Sequence, residues 1–200
     1  IKNFTEEDGL KNNNIITIME DVEGNLFLGS DGGGLIKFTN ENFMSYTEDG
    51  VIRSNVVMSV LEDFNRNIWV STYEQGVGVF TSKGFVLLTT EDGLGNNTVW
   101  CSMVSKDKDL WVGTDNGISV FNGTKFKTYD KSHGLMAKKV YSLAEDAHEN
   151  IWIGTRKGVS VLNKLTKSIF NIDIGRNIRD IFIEDETSIW FCSSDGLFKY

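Results

Sequence analysis

Asn150-Ile-Trp-Ile-Gly-Thr-Arg-Lys-Gly-Val-Ser-Val-Leu162 is one of five versions of a single pattern in this chain. The others run from Asn25 to Phe38, Asn67 to Phe80, Asp109 to Phe121 and Ser188 to Tyr200. The aromatic near the start of each copy, Phe27, Trp69, Trp111, Trp152 and Trp190, recurs at intervals of 42, 42, 41 and 38 residues. A period near forty is the mark of a repeat architecture.

Each unit follows one script, clearest in the second copy. Val56 to Leu61 is apolar and β-branched, Glu62 to Arg66 is a polar turn, and Asn67 to Thr72 is a second apolar run. Tyr73 to Gly76 turns, Val77 to Phe80 is a third run, Thr81 to Gly84 turns again and Phe85 to Thr90 is the fourth. Runs of four to six residues bounded by Gly, Asn and Asp read as four short strands and are too short for amphipathic helices. Strands apolar on both faces, such as Ile151-Trp152-Ile153, belong to sheets covered on both sides. Small four-stranded sheets stacked face to face around an axis meet both demands, so the expectation is an all-β fold, a β-propeller of five four-stranded repeats of about 40 residues. The units span residues 1–47, 48–90, 91–130, 131–173 and 174–200 of a single domain, either a closed five-bladed propeller or a fragment of a larger one. Ile1 to Thr5 reads as an orphan fourth strand, which would complete the last unit, ending at Tyr200 after its third strand, if the chain closes.

Gly-centred joins link the units: Glu6-Glu-Asp-Gly-Leu10, Glu48-Asp-Gly-Val51, Glu91-Asp-Gly-Leu94 and Ser132-His-Gly-Leu135. Gly is expected to supply a positive φ there, and the following Leu or Val to plug between neighbouring sheets.

Composition bounds the function. Hydrophobic residues at 40% and charged residues at 24% are ordinary globular values, and no apolar run approaches a membrane-spanning helix. A net charge of -8 lacks the basic footprint of a nucleic-acid partner. Cys101 and Cys192 lie in apolar runs at different repeat positions and read as buried free thiols. The 20 glycines and the absence of proline fit ladder-paired strands with Gly, Asn and Asp turns. The chain has no initiating Met or leader-like segment and reads as beginning inside a longer product.

Phe43-Met-Ser-Tyr-Thr-Glu-Asp-Gly50, the pairs Glu62-Asp63 and Glu145-Asp146, and Asn150-Ile-Trp-Ile-Gly-Thr-Arg-Lys-Gly158 together resemble the two-component regulator propeller repeat. The resemblance covers essentially the whole chain. It implies the extracytoplasmic sensor region of a membrane-bound, often hybrid, histidine kinase, on the periplasmic or extracellular side of a bacterial inner membrane. It also implies glycan sensing and seven blades in a complete propeller, with further repeats and signalling domains in the parent chain.

In an antiparallel four-stranded unit, successive hairpins alternate between two ends. The turn between the second and third strands therefore shares an end with the join to the next unit, and these longer loops make the likelier binding surface. Residues at that end vary between copies while the framework does not. The expected ligand-binding set is Arg156, Lys157, Arg176, Arg179, Lys138, Lys139 and His133, a basic sector with Lys131 beside it, plus the non-repeating aromatics Tyr73, Trp100 and Tyr141. Arginine forks suit carboxylates and sulfates, and aromatic faces suit sugars, so an anionic glycan or oligosaccharide is the expected ligand. The alternative reading is a solvated charge cluster or an interface to a missing blade, a partner or a second copy of the chain. The recurring tryptophans Trp69, Trp111, Trp152 and Trp190 read as core.

No catalytic residue, cofactor or metal is expected. His133 and His148 fall at opposite ends of a unit, which leaves no geometry for a His-based triad or metal cluster. The acidic pairs Glu20-Asp21, Glu62-Asp63, Glu145-Asp146 and Glu184-Asp185 recur as turn residues rather than as a unique dyad. Asp21 to Asn25 and Asp107 to Asp109 lack the full spacing of a calcium loop. The Gly-rich segments precede strands, not helices, which excludes a phosphate cradle.

Overall fold

A computed structural model describes residues 1–47 and 50–200. Among the described residues the regular structure is all β apart from three one-turn 3-10 helices. The chain packs into two compact units, the first formed by Ile1–Thr89 with Asn97–Val99 and the second by Thr90–Asn96 with Trp100–Tyr200.

In the first unit, β1 (Ile15–Glu20), β2 (Leu26–Ser30), β3 (Leu35–Thr39) and β4 (Asn42–Tyr46) form one antiparallel meander. A second is formed by β5 (Val57–Glu62), β6 (Ile68–Thr72), β7 (Val77–Thr81) and β8 (Gly84–Leu88). Phe27 and Leu35 of the first sheet pack with Val57, Val60, Ile68 and Val70 of the second, so each sheet is covered by the other, as double-faced apolar strands require.

The second unit repeats the plan. One sheet holds β9 (Val99–Val104), β10 (Leu110–Thr114), β11 (Gly117–Phe121) and β12 (Phe126–Tyr129), and the next holds β13 (Val140–Glu145), β14 (Asn150–Thr155), β15 (Gly158–Asn163) and β16 (Ile169–Asp173). The last holds β17 (Ile178–Asp185), β18 (Ser188–Ser193) and β19 (Gly196–Lys199), three strands as expected of a unit ending at Tyr200. Trp111, Ile118, Val140, Ile151 and Ile153 fill the space between the first two sheets of this unit, and Trp152, Val159, Ile178 and Phe191 that between the second and third. Ile1 to Thr5 is not the expected strand. It carries no strand pairing, and Phe4 packs on Phe38 and Phe43 of the first sheet, with ring centroids 5.3 and 5.6 Å away.

The repeat grammar has a local cause at each position. A side chain at Gly154 would put its Cβ 3.0 Å from the Ile178 carbonyl oxygen and closer still to Ser142 Oγ, so glycine lets the third sheet approach the second. Thr155 Oγ1 donates to the Gly158 carbonyl at 2.9 Å, closing the tight turn, and Thr72 and Thr114 make the same bond to Gly76 and Gly117. Asp63 and Asp146 accept from the backbone N–H groups of their turns and from the Asn four residues on. Glu145 instead accepts from the backbone N–H of Lys106 in the preceding sheet's turn, at 2.7 Å. The acidic pair thus combines a turn anchor with an inter-sheet clamp.

Three joins behave as expected. Gly9, Gly93 and Gly134 follow the 3-10 turns Glu6–Asp8, Thr90–Asp92 and Lys131–His133 with φ of 106, 90 and 104°, and Leu10, Leu94 and Leu135 behind them are buried. The join at residue 50 differs. Arg53 takes the positive-φ conformation in this join, with φ 56°, and the buried plug is Ile52 while Val51 is 47% exposed. Glu48 and Asp49 of that join lie outside the described residues. Both cysteines depart from expectation, Cys192 being exposed and Cys101 half-buried, with the Cys101 thiol pushed up to about 12 by desolvation.

Candidate functional site

The turn between the second and third strands and the join leaving the sheet do share an end, and hydrogen bonds tie them. Gly117 N–H donates to the Lys138 carbonyl at 2.6 Å, Gly175 N–H to the Lys157 carbonyl at 2.9 Å, and Gly34 N–H to the Asn55 carbonyl at 2.8 Å. A side chain at the start of each inner strand therefore emerges beside a loop held by its neighbour.

The start of that strand carries an irregularity. Val140 pairs with Thr155 and Ser142 with Gly154, which leaves Tyr141 as one extra residue against the partner strand. Arg179 has the same place between Ile178 and Asp180, as do Ile16 and Met58 in the first unit. A β-bulge re-aims the extra side chain out of the alternation of the sheet. Trp100 of β9 occupies the corresponding repeat position, second in its strand. The one position that the fold turns outward thus holds Ile, Met, Trp, Tyr and Arg in the five copies.

In the second unit these side chains converge. Trp100, Tyr141, Asn177 and Arg179 line a cavity of about 280 Å³. The Trp100 and Tyr141 rings meet edge to face with centroids 5.8 Å apart. Asp115 accepts the Trp100 indole N–H at 2.7 Å and holds the Lys139 ammonium at 3.2 Å, which places that ammonium 3.8 Å from the Trp100 ring centroid. The contact is a cation–π interaction at a half-buried lysine, and it fixes the Trp100 plane. The chemistry offered is two aromatic surfaces, one amide and one guanidinium, and Arg179 has no carboxylate partner among the described residues.

The rest of the expected basic set does not join this constellation. Arg156 and Lys157 form the exposed turn between β14 and β15. Arg176 is ion-paired to Asp195. His133 is a capping residue, its Nδ1 2.9 Å from Asp130 Oδ1 at the start of the 3-10 turn. Bonds from Ser132 and His133 hold the Asp130 carboxyl down at about 2. Lys138 is exposed and contributes its carbonyl to the Gly117 bond, and Lys131 is exposed at the start of the 3-10 turn. Tyr73 belongs to the first unit and is 41% exposed. The charge count over one stretch of sequence suggested a basic sector, but Asp115, Asp130 and Asp195 neutralise three of its members. Asp115 is the residue that sequence reasoning missed as a site organiser. Its signal is the loop pairing, which puts residue 115 beside residue 139 of the following join.

Among the described residues no three of His, Cys, Asp and Glu cluster as a metal site would need, and no helix is long and apolar enough to cross a membrane.

Four-stranded meanders linked end to end, each offering its inner-strand start at one end, are the blades of a β-propeller, and the structural relatives are propellers too. The model of the two component regulator propeller family matches residues 9–32, 93–116 and 134–157. None of the curated proteins matches the chain. Among solved structures, the chain is similar to the extracellular domain of the hybrid two component system BT4673 from B. thetaiotaomicron, with 21% identity and a TM-score of 0.79 over 95% of this chain and 28% of that one. BT3049 of the same organism gives 19% identity and a TM-score of 0.71 over 96% and 34%. The virginiamycin B lyase of Staphylococcus aureus gives 13% identity and a TM-score of 0.68 over 94% and 69%. The chain thus spans about a third of the length of the two-component relatives.

Proposed function

We propose that the chain is part of a non-catalytic ligand-sensing propeller in the extracytoplasmic region of a two-component sensor kinase, and that it takes an anionic oligosaccharide at Trp100, Tyr141, Asn177 and Arg179. The observation that carries the reading is the convergence of two aromatic rings, an amide and an unpaired guanidinium on one cavity. Aromatic faces stack on sugar rings, and a guanidinium fork matches a carboxylate or sulfate in two bonds. The family of the repeats supports the sensor role and a periplasmic or extracellular location. Calorimetric titration with uronate-containing and sulfated oligosaccharides tests it. Binding should be lost in Trp100→Ala, and Arg179→Ala should abolish the preference for charged over neutral oligosaccharides. Equal affinity of the wild type for neutral and acidic sugars would remove the anionic reading.

A second reading concerns partners. The outer face of the last sheet exposes Phe182 and Leu197, each at 64%, with Cys192 between them. Successive sheets within the second unit cover one another's apolar faces, so this surface suits a further repeat of the parent chain, with a second copy of the chain as the alternative occupant. A longer product carrying the next repeat should bury Phe182, seen as protection of its ring signals from a soluble paramagnetic relaxation agent by NMR, and should remain monomeric by light scattering.

A further inference from the structure

The five units differ at one half-buried hydrogen bond, and the first unit lacks it. Trp69 Nε1–H donates to Asp63 Oδ2 at 2.8 Å, and Trp152 Nε1–H donates to Asp146 Oδ2 at 2.8 Å. In both units the same oxygen also accepts from the Asn side chain four residues on, at 2.8 and 2.9 Å, so both of its lone pairs are engaged. In the first unit Asp21 keeps its Asn25 bonds, with Asn25 Nδ2 at 2.8 Å from Oδ2, but the residue at the tryptophan position is Phe27. A phenyl ring has no N–H and stops short of where the indole would reach. Among the described residues nothing else donates to Asp21 Oδ2.

A cavity of about 340 Å³ opens at that place, lined by Asp21 and Phe27 with Tyr46, Ile68 and Phe80. Its apolar members are the partly buried fringe and edge of the packed cluster between the first two sheets. An aromatic floor with one carboxylate oxygen short of a donor is the environment that Trp69 and Trp152 fill from within their own strands. The volume is within the range of small-molecule sites.

We propose that this cavity binds a free indole, its ring N–H donating to Asp21 Oδ2 and its rings packed against Phe27 and Phe80. The flat aromatic N–H heterocycle supplies from outside what the repeat supplies as a tryptophan side chain elsewhere. The site is separate from the Trp100 cavity, and its ligand is neutral. Three carboxylates, Asp21, Glu23 and Glu62, line the cavity against two cations, Lys37, whose ammonium lies 5.3 Å from the Phe27 ring centroid, and Arg66, so an anionic ligand is disfavoured.

Titration of the intact chain with indole and with 1-methylindole, followed by protein-observed NMR, tests the proposal. Indole should saturate and shift the signals of Phe27 and Phe80, while 1-methylindole, which cannot donate, should bind at least tenfold more weakly. Phe27→Trp should fill the cavity, remove indole binding and raise the thermal midpoint. Indole binding unchanged in Phe27→Trp, or equal affinity for the two indoles, overturns it. If Phe27→Trp does not fold, the wild type decides alone: intermolecular NOEs from indole to Phe27 and Phe80 are expected, and their absence at saturation overturns the proposal.

Discussion

The indole of Trp152 donates to Asp146 Oδ2 at 2.8 Å across six residues of chain, joining the turn that opens β14 to the core that β14 builds. Trp152 is 4% exposed, so its N–H has no solvent alternative. Removing the acceptor strands that donor and also frees the turn N–H groups of His148 and Asn150. A buried donor without a partner costs roughly 1–3 kcal/mol. Asp146→Ala should therefore destabilise the chain by about 2 kcal/mol in urea unfolding, and Trp152→Phe in the Ala background should recover part of the loss by removing the orphaned donor.

The third unit carries the opposite defect from the first. Ser105 stands where Asp63 and Asp146 stand, Asp109 replaces the Asn, and Trp111 Nε1 is buried without an acceptor. Burial and the nearby Asp107 carboxylate push the Asp109 carboxyl upward. Restoring the grammar with Ser105→Asp and Asp109→Asn together should stabilise by about 1 kcal/mol. Ser105→Asp alone should gain less, because it adds a carboxylate beside Asp107 and Asp109. Equilibrium unfolding of the three variants as a double-mutant cycle reads the coupling.

Stability should fall in acid with an identifiable source. Burial raises the carboxyls of Asp63 and Asp146, but the bonds from tryptophan, asparagine and turn N–H groups outweigh it and hold both below the ordinary value of 3.8. A depressed folded value means the unfolded chain binds more protons, so the contribution is complete above 3.8 and is lost as pH falls through the folded values. Asp109 has the opposite sign, losing stability as pH rises from 3.8 through its raised value. Asp63→Asn with Asp146→Asn should flatten the dependence of unfolding free energy on pH below about 4, and Asp109→Asn should remove the loss of stability that sets in as pH rises above 3.8.

Lys164 is buried between two carboxylates, 2.6 Å from Glu145 and 3.0 Å from Asp107, and the Lys164 and Glu145 side chains are 5% and 8% exposed. Deleting one partner of such a pair leaves a buried charge uncompensated, at a cost of about 3 kcal/mol. Lys164→Met should show that loss in urea. Adding Glu145→Gln should recover most of it, since Gln still accepts from the Lys106 N–H and carries no charge.

Asp115 gates the charge of the proposed oligosaccharide site. Asp115→Asn keeps an acceptor for the Trp100 N–H and releases Lys139 from its ion pair. Affinity for an acidic oligosaccharide should rise several-fold at low salt and return toward the wild-type value as salt screens the lysine.

The architecture was legible in the chain because packing recurs. Trp69, Trp111 and Trp152, the Gly-Thr turn at Gly154 and Thr155, and the Gly9, Gly93 and Gly134 joins stand at equivalent places in successive units, and repetition exposes them as framework. The join at Gly50 was misread because its plug is displaced by one residue, to Ile52, and apolar pattern alone does not distinguish Val51 from its neighbour.

Asn150 to Leu162 by itself determined the all-β repeat, since strand length, turn residues and a double-faced apolar pattern are local properties. The tertiary structure decided which variable residues act together. Trp100, Tyr141 and Arg179 lie about forty residues apart, and the bulges at Tyr141 and Arg179 turn those two side chains to the cavity that Trp100 also lines. Arg156 and Lys157, adjacent in the most regular copy, remain a solvent-exposed turn. The same applies to the Asp21 and Phe27 vacancy: a missing indole is a single letter in the sequence, and it becomes a cavity only when the surrounding rings cannot collapse into the space.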